Sequence, residues 1–257
     1  AKVDDRSYIL ANLHLHAVLP RLEELVKLDH EAQSIAEQMK LKVRFKVRKG
    51  PSVVVEIADG VVRTSSDPQA KADLGLFFSS CDQLNNLFMD KRAVPLPYKG
   101  LTQLRQMGRF SKLTGILTRY LKPTEADLKD PGFKKKHVEM TLMTGLAGAA
   151  EVAKHDRKME KVVDRLPWGT VQFSLLPDGP YAFANVGKDK TISVGNGTLA
   201  DPTANLDIDG VDMAAGVLAG TVDTFAAVGR EDLRATGLLS LIDELNALLE
   251  RAGSFLA

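Results

Sequence analysis

The chain has 257 residues, 44% of them hydrophobic and 26% charged, with a net charge of +1. This balance suits a globular chain that could be one large domain or two of about 100–150 residues. No run of about 18 apolar residues is present to cross a bilayer. The N-terminal AKVDDRSYIL lacks the apolar core of a secretory signal, and the lone Cys81 cannot close an internal disulfide, which fits a cytoplasmic setting.

In chain order, residues 7–40 read as helix, with Leu10, Leu13, Val18, Leu22, Leu25, Val26, Ile35 and Met39 at helical spacing and Pro20 as a break. At LKVRFKVRK the pattern switches to strict alternation. Leu41, Val43, Phe45 and Val47 take one face, and Lys42, Arg44, Lys46 and Arg48 the other, as in a half-buried strand with a wet basic face. Gly50-Pro51 turns the chain into a strand at 53–57, and Asp59-Gly60 turns it again into 61–64. A further strand is expected at 72–78, a helix capped by Asp82 after it, a short strand at 100–105, and an amphipathic helix from Met107 to Leu121 ended by Pro123. The polar stretch 124–132 is the best boundary. A long helix rich in small residues follows at 137–166, where Gly145 and Gly148 permit close packing. Strands are then expected at 170–176, 181–185 and 191–194, a helix capped by Asp212, and a last amphipathic helix from Leu238 to Leu249.

The second half repeats the first. GLTQLRQMG at 100–108 and GREDLRATG at 229–237 share terminal glycines and a Leu-Arg pair at an offset of 129, and Gly50-Pro51 and Gly179-Pro180 share that offset. The expected architecture is α+β, two tandem repeats at 1–123 and 124–257, each a mainly antiparallel sheet of about five strands covered on one face by helices.

The two halves differ in charge. Residues 40–123 hold sixteen Lys and Arg against six Asp and Glu, a net of +10, whereas residues 168–257 hold five against twelve, a net of −7. Either the halves neutralise one another, or the basic half meets an anionic membrane surface or headgroup. Nucleic acid does not fit, because the basic residues alternate with aliphatics and no stacking platform accompanies them.

Catalytic constellations are missing. His14 and His16 are two apart, on different sides of a helix, and read as surface or packing histidines, as does His155-Asp156 as a solvated pair. No Gly-rich phosphate loop and no serine elbow occurs. The DIDGVD stretch at 207–212 has the composition of a calcium loop without its spacing and reads as a strand end, a turn and a cap. The basic run Lys134-Lys135-Lys136 reads as a solvated face.

What remains is apolar. In the first repeat the candidate ligand-binding residues are Phe77, Phe78, Leu84, Leu87, Phe88, Met107, Phe110, Leu113 and Leu117. In the second they are Met213, Val217, Leu218, Phe225, Leu238, Leu241, Ile242 and Leu245. They could equally fill plain cores.

Ala72-Asp73-Leu74 ahead of a strand, the helix after Asp82 and the Gly–strand–Gly–helix of both windows resemble the sterol carrier protein type-two lipid-binding domain. The closer copy is Gly229–Leu245. In Gly100–Leu117, Arg109 and Lys112 replace the leucines of the other copy. The resemblance implies a five-stranded sheet with helices over one face, an apolar tunnel for fatty acyl chains, acyl-CoA, sterols or quinone-like lipids, and a non-enzymatic role without cofactor. The expected partners are such a lipid and, transiently, an anionic membrane surface through the basic first repeat. A scaffold protein with filled repeat cores is the alternative.

Overall fold

The computed structural model describes residues 2–221 and 224–257, with the side chains of 224–226 outside that description. The chain divides into two compact units, Val3–Arg119 and Tyr120–Ala257.

In the first unit, helix α1 (Arg6–Leu13) is capped by Asp5, whose carboxylate accepts from the Tyr8 N–H at 3.1 Å. The helix expected to run through residue 40 is broken. A π turn at His14–Val18 and a 3-10 turn at Leu19–Arg21, around a proline that cannot donate, separate α1 from α2 (Leu22–Leu28). Asp29 then caps α3 (His30–Glu37). Strands β1 (Leu41–Val47), β2 (Ser52–Ala58) and β3 (Val61–Ser65) form an antiparallel meander. Strand β4 (Leu74–Phe78) crosses over to pair parallel with β1, and β5 (Leu96–Lys99) adds at the edge of β4. The order is β3-β2-β1-β4-β5.

Two local expectations need correction here. The cap of α4 (Cys81–Phe88) is Ser80, whose hydroxyl accepts from the Gln83 N–H at 3.1 Å; Asp82 sits in the first turn, where a negative charge meets the positive helix end. The segment expected as a strand, 100–105, is a 3-10 turn, Leu101–Gln106, and the strand lies just before it. Pro97 is tolerated within β5 because β5 is an edge strand. Helix α5 (Met107–Leu121) follows.

In the second unit, Asp130 caps α6 (Pro131–His155). The predicted helix 137–166 stops at Asp156, whose carboxylate turns back to accept from the Lys158 N–H at 2.9 Å and starts a 3-10 turn leading to α7 (Glu160–Arg165). Strands β6 (Gly169–Leu176), β7 (Tyr181–Val186) and β8 (Ile192–Asn196) form a meander. Strand β9 (Ala204–Asp209) pairs parallel with β6. Helix α8 (Val211–Leu218) opens directly after Gly210, so Asp212 is a first-turn residue and not the expected cap. Helix α9 (Thr224–Gly229), edge strand β10 (Leu233–Gly237) and α10 (Leu239–Leu256) complete the unit. The order is β8-β7-β6-β9-β10, which is the order of the first sheet strand for strand, with the parallel pair in the same place. The fold is α+β, built as two repeats of one topology.

The equivalence of the repeats differs from the one the sequence windows suggest. Gly100 (φ +70) ends β5 against the backbone at Asp73, and Gly237 (φ +82) ends β10 against the backbone at Thr203; a Cβ at either would run into that carbonyl oxygen. Asp73 and Thr203 each immediately precede the first residue of the parallel strand. Gly100 therefore corresponds to Gly237, an offset of 137 rather than 129. Only glycine fits a left-handed position that also abuts backbone.

Candidate functional site

The alternation of β1 sends Leu41, Val43, Phe45 and Val47 to one face of the first sheet, all buried. Parallel pairing sets Val43 beside Leu74, Phe45 beside Leu76 and Val47 beside Phe78, so β4 adds its own apolar row to that face. The Phe45 ring stacks on Phe78 at 6.2 Å and meets Phe110 of α5 at 5.7 Å. Of the residues expected to line a ligand site, Phe78, Leu84, Phe110, Leu113 and Leu117 are buried. Phe45, which joins Phe78 to Phe110, was not among them, although its alternation signal was plain.

The other first-repeat candidates stand elsewhere. Phe77 pairs with Lys46 and lies on the opposite, basic face, because adjacent strand residues point in opposite directions. Phe88 is half-buried and stacks on His14 at 4.7 Å. Met107 is half-buried and Leu87 is exposed at the last turn of α4.

In the second unit, Val138 of α6, Leu175, Ile208 and Leu233 of three strands, and Ala214 and Ala227 of two helices form one buried cluster, with Met213 packed against it. Leu241, Ile242 and Leu245 are buried along α10, which packs on α6, α7, β6, β9 and β10. Val217 is half-buried, Leu218 and Leu238 are exposed, and the side chain of Phe225 lies outside the described residues.

The polar groups are structural. His14 is buried, its Nδ1 2.9 Å from Asn85 Oδ1, while Asn85 Nδ2 donates to the Ser7 carbonyl at 2.9 Å. Contrary to the solvated reading, Asp156 is 0% exposed and its Oδ2 accepts from Arg251 Nε at 2.6 Å. His155 lies 3.3 Å from Glu151. Lys134 pairs with Asp212 at 2.6 Å and Lys135 donates to the Asp178 carbonyl, so two of the three lysines of that run are engaged. Arg105 and Arg234 are exposed.

Two buried polar residues had no usable sequence signal. Arg21 is 6% exposed, 3.2 Å from Glu24, and burial lowers the pKa of its guanidinium. Gln172 is 4% exposed; its amide donates to the Ala182 and Gly197 carbonyls and its oxygen accepts from the Leu199 N–H, which fixes the 197–199 loop to β6.

An open polar pocket of about 460 Å³ lies where β1 and β4 end and α1 and α4 begin, with Arg48, Lys49, Asp5 and Asp82 around the Cys81 thiol. Burial, then Asp5 and Asp82, push that thiol up, which disfavours the thiolate a nucleophile requires.

The exposed apolar side chains are not scattered. Among the described residues thirteen large hydrophobics are more than a third exposed, and eleven of them fall between the short helix and the last helix of the two units. In the first unit these include Leu87, Met89, Val94, Leu96, Leu101 and Leu104; in the second, Leu218, Val228, Leu238 and Leu239. Both units thus expose apolar side chains, here called the rim, along the same topological segment, from the end of the short helix through the edge strand to the start of the last helix.

No protein-family model matches the chain, and the search of curated proteins returns no match. Among solved structures, the sterol carrier protein domain 2 of Helicoverpa armigera is similar to 44% of this chain over 89% of its own length, at 17% identity and a TM-score of 0.34. Sterol Carrier Protein 2 from Yarrowia lipolytica, in its apo form, covers 49% of this chain over 98% of its own, at 18% identity and a TM-score of 0.32. A sec-alkylsulfatase from Pseudomonas sp. matches 57% of this chain over 29% of its own, at 9% identity and a TM-score of 0.26. The α+β assignment rests on the strand order of the two sheets themselves.

Proposed function

We propose that this chain binds a hydrophobic ligand, a fatty acyl chain, acyl-CoA, sterol or quinone-like lipid, between the sheet and the last helix of a repeat, without catalysis. The observation that supports this reading is the recurrence of the exposed apolar rim in both units, along the same segment from the short helix to the start of the last helix. Surface apolar groups concentrated in that way mark binding sites. On the inner face of the first sheet Phe45, Phe78 and Phe110 cluster, apolar side chains that would hold an acyl chain at roughly 0.8 kcal/mol per CH2 removed from water. The proposed ligand contacts are the buried residues of the set named from the sequence: Phe78, Leu84, Phe110, Leu113 and Leu117 in the first unit, and Leu241, Ile242 and Leu245 in the second. Phe77, on the far face of its sheet, drops out of that set.

The reading includes transfer in the cytoplasm, with contact at an anionic membrane surface as the step where lipid is loaded or released. No helix among the described residues is long and apolar enough to cross a membrane.

A second reading has its own support: the Phe45, Phe78 and Phe110 rings touch, as the core of a scaffold would. The two separate on titration with a fluorescent fatty-acid analogue. Saturable fluorescence enhancement, reversed by unlabelled fatty acid, supports ligand binding; no enhancement up to the solubility limit of the probe supports the filled core.

A further inference from the structure

The two apolar rims differ in what surrounds them. From Lys91 to Arg119 the chain carries seven Lys and Arg and no Asp or Glu. Lys91, Arg92, Arg105, Arg109 and Lys112 are exposed, and none has a carboxylate partner among the described residues. Near the second rim, Glu231, Asp232 and Asp243 oppose Arg230 and Arg234. Among the described residues, exposed apolar groups coincide with a run of cations that no acidic residue interrupts in the first unit, whereas acids stand among the cations near the second rim.

Two contacts anchor the first rim. Val94 is 80% exposed, and Leu96 and Leu101 are each 62% exposed. Gln83 Nε2 donates to the Val94 carbonyl at 2.7 Å, tying this loop to α4, and Gly100 seats the chain against the backbone at Asp73. The following 3-10 turn buries none of its residues. Three residues per turn place Leu101 and Leu104 on one side of it, pointing the same way. An exposed aliphatic pair on an anchored turn, with exposed cations before and after it in sequence, has the composition of a surface that lies in a lipid interface, where apolar groups enter the acyl boundary and cations meet headgroups.

We propose that this edge of the first unit docks on an anionic lipid bilayer, with Leu101 and Leu104 inserting and the five cations meeting the headgroups. The proposal deepens the membrane contact of the reading above, and names the surface and lipid charge that serve it. It needs no bound ligand, so vesicle binding and lipid uptake fail independently: a chain that binds vesicles but no acyl probe keeps this proposal and loses the other.

The test is co-sedimentation of the full chain with vesicles of phosphatidylcholine alone or containing about one-third phosphatidylserine. The expected result is sedimentation with the anionic vesicles only, weakening as salt shortens the Debye length. Each cation contributes about fivefold to partitioning. Reversing three of them in Lys91→Glu/Arg92→Glu/Arg105→Glu therefore lowers binding at least about a hundredfold. Leu101→Ser/Leu104→Ser lowers it by at least about tenfold. All five positions are exposed, so the fold survives, which far-UV circular dichroism checks. The proposal is overturned if the chain stays in the supernatant with both vesicles, sediments equally with both, or binds unchanged in either variant. A dimer that Leu101→Ser/Leu104→Ser dissociates, without vesicle binding, would also overturn it and assign the surface to a second copy.

Discussion

Replacing Arg251 with Met tests how the last helix of the second unit is held. Asp156, 0% exposed, ends α6, caps the turn to α7 through the Lys158 N–H and accepts from Arg251 Nε of α10 at 2.6 Å. The Arg251 guanidinium also lies 4.6 Å from the Phe255 ring. Losing one partner of a buried pair costs about 3–5 kcal/mol, because the remaining charge stays desolvated. The Arg251 side chain is 24% exposed, so water can reach part of the vacated space, which places the expected loss near the lower end, about 3 kcal/mol. With a urea dependence of about 2 kcal/mol/M, the midpoint falls by about 1.5 M. Trp168 is the only tryptophan and belongs to the second unit, so its fluorescence reports that unit's unfolding. Asp156→Asn removes the charge, and in the Arg251→Met background it returns about 1 kcal/mol or more as coupling. A loss below about 1 kcal/mol in Arg251→Met, with no coupling, would refute the reasoning.

Further outcomes follow from the glycine contacts and from the thiol. Gly237→Ala places a Cβ against the Thr203 carbonyl at a positive φ. The conformation alone costs about 1–2 kcal/mol, and the clash adds to it, so Trp168-detected urea midpoints fall, whereas Gly253→Ala, with open space around it inside α10, raises the midpoint by up to about 0.5 M. Because burial raises the Cys81 pKa, the folded chain holds less thiolate than a free cysteine at neutral pH. Alkylation of the native protein by iodoacetamide is therefore slower than in urea, and the gap narrows only as pH rises past the free-thiol range. Equal rates at neutral pH would contradict that environment.

Much of this fold was legible in the sequence because the signals were local. Alternation at 41–47 and the Gly-Pro and Asp-Gly turns give the meanders, and their recurrence points to the two sheets of one topology. The register of the last strand was not legible, because the shared Leu-Arg pairs of the two windows stand in different environments: Leu104 is exposed, Leu233 is buried in the core of its unit, and both arginines are exposed. Leu104-Arg105 lies in a 3-10 turn and Leu233-Arg234 in a strand. The physical landmark is the glycine that fits against the backbone before the parallel strand, a contact distant in sequence and so invisible to windows. Caps failed for a similar reason: Ser80 and Asp82 both have cap chemistry, and only backbone geometry selects Ser80. In the site, the buried apolar residues followed helical and strand periodicity, while Phe77 was misplaced because a run of two phenylalanines does not show which one faces inward. Asp156 looked solvated because its partner, Arg251, lies 95 residues away.

Ligand binding turns on one observable, whether the purified chain carries an apolar molecule. Native mass spectrometry of the protein, followed by organic extraction and analysis of the extract, measures this directly. Binding beneath the last helices predicts a population heavier than the polypeptide by the mass of one or two lipid molecules, with the same lipid recovered in the extract. A single species at the polypeptide mass, both as purified and after incubation with fatty acid, would contradict it.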